Sequence, residues 1–340
     1  MIKVGIVGIS GYSGKEALTI LLRHPEVRVT YVSANNTTGA VGEIWPQMAH
    51  LTDLICNKYD PQQAGEHCDV LVLAVPHTVA MSLVPGLLEQ GKKVIDLSAD
   101  YRLASAAEYQ KWYQTEHRDG AHLNQAVYGL PEIYREKIKT ATLIANPGCY
   151  PTAALLGLAP LAGLRSESLR TIIIDAKSGV SGAGKKSASA LMFAEANENF
   201  RAYKVLRHQH TPEIEQYLSQ IAERPLSINF VPHLLPVNRG ILETIYVRSD
   251  QLPPLQELQT VYHNFYKKEP FVRILPPGQQ PELKNVNHTN FCDIGLALNE
   301  QKDILVITAA IDNLVKGAAG QAVQNMNIMC HFDEKMGLQS

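Results

Sequence analysis

An apolar strand at residues 2–7 runs into glycines at three-residue spacing, Gly8, Gly11 and Gly14, and then into helical periodicity over 15–22. No other feature narrows the fold so far. Residues 27–32 and 69–75 read as further strands, 79–90 as a helix and 93–97 as another strand. Near-continuous apolar strands alternating with helices predict a parallel sheet covered on both faces. Glycines at the first strand-to-helix turn let the backbone approach a pyrophosphate, while the helix start supplies N–H donors. The spacing is G-x-x-G-x-x-G instead of G-x-G-x-x-G, so its place in the first βαβ unit carries the assignment. A plain tight turn is the structural alternative. Gly8, Ser10, Gly11, Tyr12, Ser13 and Gly14 are the candidate cofactor contacts.

The second strand ends at Ser33-Ala34-Asn35-Asn36. NAD sites usually place Asp or Glu here to hold the ribose 2′-hydroxyl, and that carboxylate repels a 2′-phosphate. Hydroxyl and amide donors in its place, Ser33 and Asn35 above all, favour NADP(H).

From about residue 149 the texture changes. Segments 168–177, 226–231, 240–248, 271–275, 292–298 and 304–311 read as strands, with helices chiefly at 212–222 and 255–267. This predicts a mixed α+β domain with a largely antiparallel sheet. Residues 314–328 read as one helix rich in small side chains. The expected division is a dinucleotide-binding domain over 1–148 and a second domain over 149–312.

Where the two textures meet stands Asn146-Pro147-Gly148-Cys149-Tyr150-Pro151-Thr152, between an apolar strand at 141–145 and helical residues from 153. A thiol at such a turn faces the unpaired N–H groups and positive end of the helix, which favour thiolate. Thiolate is the form that attacks carbonyl carbon. A free Cys is most often a buried core residue, but flanking Pro and Gly argue against a plain packing site. Cys149 is the candidate nucleophile.

The segment 208–213, His-Gln-His-Thr-Pro-Glu, reads as a loop entering a helix with Thr211 as N-cap and Pro212 at the first helical position. One of its histidines can serve as acid and base beside Cys149, or both are solvated loop residues. No further ligand lies at metal spacing, so no metal site is expected. Residues 179–186 nearly spell a phosphate-binding loop, but Lys186 stands where Ser or Thr should hold magnesium. Its glycines still permit close approach to a cofactor or substrate, or form a structural bend. Arg102 follows a parallel strand, and Arg239 precedes a later one. Each is either a bidentate anion contact or a surface ion pair.

Composition excludes several classes. With 340 residues and 45% hydrophobic content the chain can form two cores, and a formal charge of −2 gives no case for nucleic acid or anionic membranes. No segment is long and apolar enough to span a bilayer, and no leader is expected before the first strand. Five scattered cysteines, none in a CxxC pair, point to reduced thiols in the cytoplasm.

Taken together, residues 8–14, 96–102, 128–132, 147–152, 178–184, 208–214, 232–245 and 312–319 closely resemble the N-acetyl-γ-glutamyl-phosphate reductase family, related to aspartate-semialdehyde dehydrogenase. Gly148-Cys149-Tyr150-Pro151-Thr152 and the later His-x-His-x-Pro-Glu are its most specific motifs. The resemblance implies a Rossmann dinucleotide-binding domain, completed by a C-terminal helix over 313–340, beside a mixed α+β catalytic and dimerisation domain. It implies Cys149 as nucleophile, His208 as acid/base and Glu213 as its support. Pro76, Ser181, Gly182, Asn313 and Lys316 then belong near NADP(H), with Arg102 and Arg239 toward the acyl phosphate substrate. The implied reaction is reduction of the acyl phosphate through a thioester, in arginine biosynthesis, by a homodimer or homotetramer. A homologous aminoadipyl substrate from lysine biosynthesis, one methylene longer, is the alternative within the same chemistry. A non-catalytic NADP-sensing regulator is the alternative of another class, disfavoured because a sensor has no use for Cys149 and His208.

Overall fold

In the computed structural model, which describes residues 1–162, 169–185 and 188–338, the apolar segments of the first half pair as a six-stranded, wholly parallel sheet. Its strands are β1 (Ile2–Val7), β2 (Val27–Ser33), β3 (Val70–Leu73), β4 (Lys93–Asp96), β5 (Val127–Tyr128) and β6 (Leu143–Ala145), in the order β2-β1-β3-β4-β6-β5. Parallel neighbours need crossovers, which α1 (Tyr12–Leu21) and α2 (Ala80–Glu89) provide among others. The chain steps from β1 to β2 on one side and to β3 on the other. The switch point, where open α/β sheets bind ligands, therefore lies at the carboxyl end of β1, beside Gly8. Val4, Ile6, Leu71, Leu73, Val94, Ile95 and Ile144 are almost wholly buried, the mark of a sheet covered on both faces.

Contacts divide the chain into two compact units, Met1–Gly148 with Ala318–Ser340, and Cys149–Gly317. Within the first, the helix α6 (Gly320–Met329) is tied to the parallel sheet by polar bonds. The Asn325 amide donates to Gly129 O and to Asn146 Oδ1, at 2.8 and 3.0 Å. Gly129 must be glycine, because a Cβ there would stand 2.4 Å from Asn325 Nδ2.

The second unit holds a seven-stranded mixed sheet of β7 (Leu169–Gly179), β8 (Arg201–Ala202), β9 (Asn229–Leu235), β10 (Ile241–Ser249), β11 (Val272–Ile274), β12 (Cys292–Leu298) and β13 (Ile304–Ile311). The order is β8-β9-β7-β10-β13-β12-β11, with β7–β9 and β11–β12 parallel and the other pairings antiparallel. The helix α3 (Cys149–Ala162) lies on one face, so close that a Cβ on Gly157 would meet Ile245 at 2.9 Å. Two helices flank it, α4 (His210–Ile221) and α5 (Leu255–Tyr266). From α5, the Tyr262 hydroxyl donates to Gly157 O at 2.7 Å. The opposite face exposes Ile173 and Tyr246, directly paired across β7 and β10.

Two expectations are corrected. The segment 314–328 is not one α-helix, since Val315–Ala319 forms a π turn before α6. The cause is the bond from Gly317 N–H to Asp312 O, which closes over five residues. Ser168 and Lys186, named in the strand and loop readings, lie outside the described residues.

Candidate active site

The three glycines of the first turn have three different physical reasons. Gly8 sits at φ +101°, and a Cβ there would stand 2.2 Å from Ala74 O. Gly14 packs so tightly that its Cβ would stand 2.3 Å from Gly8 O. Gly11, the N-cap of α1, has no side-chain cap, and a Cβ there would meet nothing closer than 3.6 Å. Its openness at a helix start is what a pyrophosphate needs. Ser33 O accepts from the Gly8 and Ile9 N–H groups at 2.7 and 3.2 Å, pinning the loop to β2. Ser10, Tyr12 and Ser13 are half-buried around this turn.

Ser33 itself is a correction. Its side chain is fully buried and its hydroxyl has no hydrogen-bond partner, so it cannot reach a ribose phosphate. It acts through its backbone. Asn35 and Asn36, both exposed, remain as donors at the end of β2. Pro76 is exposed on the loop between β3 and α2. That loop is held by the buried Asp100, which accepts from Thr78 N–H, Met81 N–H and the Tyr109 hydroxyl, at 2.7, 3.0 and 2.7 Å. Thr78 is thereby kept at φ +75°, a conformation β-branched residues rarely adopt.

Arg102 is no surface ion pair. It is buried, with Nε–H donating to Asn146 O and Nη2–H to Leu97 O, both at 2.8 Å. It therefore braces the turn that leads to Cys149. Nearby Asp96 is wholly buried, and burial, reinforced by the charge of Asp100, pushes its carboxyl up to about 7 despite two bonds from Ser98.

Within the second unit, Cys149 is the first residue of the fourteen-residue α3 and is half-buried. The other cysteines differ. Burial pushes the thiols of Cys56, Cys68 and Cys330 up, and Cys292 is completely buried. The next residue, Tyr150, sets its ring edge-on to His208 and His210 at 5.7 and 5.8 Å. Tyr203 and Phe230 close the box around His208 at 5.6 and 5.5 Å. Tyr150, next to Cys149 in the chain, thus brings the start of α3 to His208, with the buried Glu213 one turn along α4.

The start of α4 is a further correction. His210 is already helical and the N-cap is Gln209, not Thr211. His208 does the capping, because Nδ1 accepts from His210 N–H at 3.2 Å and its carbonyl from Thr211 N–H at 3.0 Å. An Nδ1 that accepts from the backbone leaves the proton of neutral imidazole on Nε2.

Ser181 and Asn313 bind each other, Asn313 Nδ2–H donating to Ser181 Oγ at 3.0 Å while its Oδ1 accepts from Gly240 N–H at 2.8 Å. Asn313 therefore supports the 178–184 loop, and a Cβ on Gly182 would crowd Ser178 Oγ at 2.8 Å. Lys316 is fully buried, its ammonium 5.7 Å from the Phe271 ring centre. Arg239 Nη1–H pairs with the buried Asp312 Oδ2 at 3.0 Å.

One residue had no signal in the sequence. Glu243 on β10 is wholly buried with neither carboxylate oxygen hydrogen-bonded. Burial pushes its carboxyl well up, offset only in part by Lys177. In sequence it reads as one polar residue in an alternating strand. Among the described residues, no group of three or more His, Cys, Asp or Glu could hold a metal ion, and no helix is long and apolar enough to cross a membrane.

Comparison with known proteins gives consistent matches. Residues 3–141 match the family model of the semialdehyde dehydrogenase NAD binding domain, and 149–313 that of the semialdehyde dehydrogenase dimerisation domain. The N-acetyl-gamma-glutamyl-phosphate reductases of Desulfotalea psychrophila and Geobacter metallireducens are 50% and 49% identical, covering 100% of this chain and 98% of each relative. Among solved structures, aspartate semialdehyde dehydrogenase II of Vibrio cholerae aligns with TM-score 0.72 at 16% identity, over 97% of this chain and 98% of that one. The Candida albicans aspartate semialdehyde dehydrogenase with NADP aligns with TM-score 0.72 at 15% identity, with the same coverage. These two structures share the fold.

Proposed function

The chain belongs to the N-acetyl-γ-glutamyl-phosphate reductase family, and from that premise we propose that it reduces N-acetyl-γ-glutamyl phosphate to N-acetylglutamate 5-semialdehyde and inorganic phosphate, in arginine biosynthesis. The observation that carries the reading is Cys149, half-buried at the start of α3, where the next residue, Tyr150, stands edge-on to His208. The named relatives favour this substrate over its aminoadipyl homologue.

The Cys149 thiolate, favoured by the helix end, attacks the acyl carbon, and the carbon–oxygen bond to phosphate breaks to leave a thioester. His208 lends its Nε2 proton to the tetrahedral oxygen and recovers it as the carbonyl reforms. The Cys149 backbone N–H, at the start of α3, is the second donor to that oxygen. NADPH, when bound, would supply the hydride that takes the thioester to the aldehyde level, and cleavage of the carbon–sulfur bond then releases the semialdehyde and returns the Cys149 thiolate. Gly8, Gly11 and Gly14 with the start of α1 hold its pyrophosphate, and Asn35 and Asn36 its 2′-phosphate. Pro76, Ser181, Gly182, Asn313 and Lys316 are further candidates for contact with it, by resemblance to the family. Arg102 is the first candidate contact for the acyl phosphate, and Arg239 the second. Glu213 steadies His208 from within α4. The active form is a homodimer joined through the open face of the seven-stranded sheet, in the cytoplasm.

A reverse-direction assay tests the reading: N-acetylglutamate semialdehyde and phosphate should reduce NADP with a higher kcat/KM than NAD. Turnover only with the aminoadipyl homologue, or none with either, contradicts it.

A further inference from the structure

We propose that Gly317 is a positioning residue for the nucleophile, its bare backbone forming the stop against which Cys149 is held at the end of α3. The inference rests on Cys149 being the nucleophile, but its geometry stands apart from that. A Cβ at position 317 would lie 2.8 Å from Cys149 Cβ and 3.2 Å from Cys149 Cα. Ordinary van der Waals contact begins at 3.4 Å, so one of the two residues would have to retreat by about half an ångström. Neither has slack. Cys149 is the first residue of a buried helix, and Gly317 sits inside the π turn Val315–Ala319.

That turn is anchored by one buried carboxylate. Asp312 Oδ1 accepts from Leu314 N–H and Val315 N–H at 2.7 and 3.1 Å. Its Oδ2 accepts from His288 N–H and Arg239 Nη1–H at 2.7 and 3.0 Å. Gly317 N–H returns to Asp312 O at 2.9 Å, which inserts the extra residue of the π turn and brings the 317 backbone against Cys149. Asp312 follows directly on β13, whose last residue, Ile311, is in register with Ile241 and Cys292 on either side. The stop is thus fixed to the centre of the sheet. A π turn at a functional position is the usual context for such a device.

The test is Gly317→Ala in the full-length enzyme. With a misplacement of 1 Å costing about 10²-fold, a displacement of this size lowers kcat by about tenfold, with KM for the acyl phosphate little changed. The pH profile of Cys149 alkylation by iodoacetamide should move to higher pH as the sulfur leaves the helix end. Wild-type kcat and an unmoved alkylation profile in Gly317→Ala overturn the proposal. Thermal stability gives an independent readout: Cys149→Gly removes the clashing Cβ, so Gly317→Ala should cost less in that background than in wild type. If Gly317→Ala alone fails to fold, recovery of the fold by Cys149→Gly supports the contact, and failure of the double variant overturns it. Should the wild type form no acyl adduct, the functional reading fails while this stability coupling persists, so the two failures are distinguishable.

Discussion

His208 shows how much one side chain can combine. It caps α4 through Nδ1, sits in a box of Tyr150, Tyr203, Phe230 and His210, and is the proposed acid/base. His208→Ala should therefore lower kcat by about 10²–10⁴-fold, the range for losing a general acid or base. His210→Ala, which keeps the backbone N–H that His208 uses, should cost far less. Steady-state kinetics on both variants decides it, and the reverse order of effects reassigns the acid/base. The sequence made the histidine pair conspicuous but put the helix start at Thr211, because Thr-Pro-Glu reads as a cap followed by a first turn. A histidine that caps with its own ring has no such signature. Ser33 fails for a related reason. A hydroxyl at the end of a strand reads as a donor to a ligand, and nothing in the sequence reveals that it points into the core.

At the level of elements, the strands were legible wherever apolar runs or alternation were uninterrupted, as for 292–298 and 304–311, which the structure reproduces to the residue. The last helix was not, because helical periodicity carries no mark of an inserted π residue. β10 holds the least expected feature, Glu243 on the face toward α3. Burial holds its carboxyl well above the ordinary carboxylate value in the folded chain, while the unfolded chain ionises it at that value. The folded state then holds the extra proton, so stability is fully present below the unfolded value and declines as pH rises toward the folded one, by about 1.4 kcal/mol per pH unit. Glu243→Gln keeps the shape and removes the titration. Thermal melts from pH 5 to 8 should show the wild type losing more stability than the variant, and parallel curves would refute a neutral buried Glu243.

On the scale of the whole molecule, contacts divide the chain between Gly148 and Cys149, where the texture of the sequence changes, and the glycine turn and the Cys149 turn stand out in the sequence as candidate sites. The oligomer was not readable from residue spacing, since an open sheet face shows only as alternation. Ile173 and Tyr246 are apolar, exposed and paired across strands, within the part matched by the dimerisation-domain family model. Tyr246→Glu should therefore lower the apparent mass in sedimentation, and an unchanged mass would move the interface elsewhere. The most direct measurement on the central claim is mass spectrometry of the enzyme mixed with acyl phosphate in the absence of NADPH. The account predicts a single acyl adduct, on the peptide containing Cys149, that disappears in Cys149→Ser along with reductase activity. An adduct on another cysteine, or substantial reduction by Cys149→Ser, would contradict it.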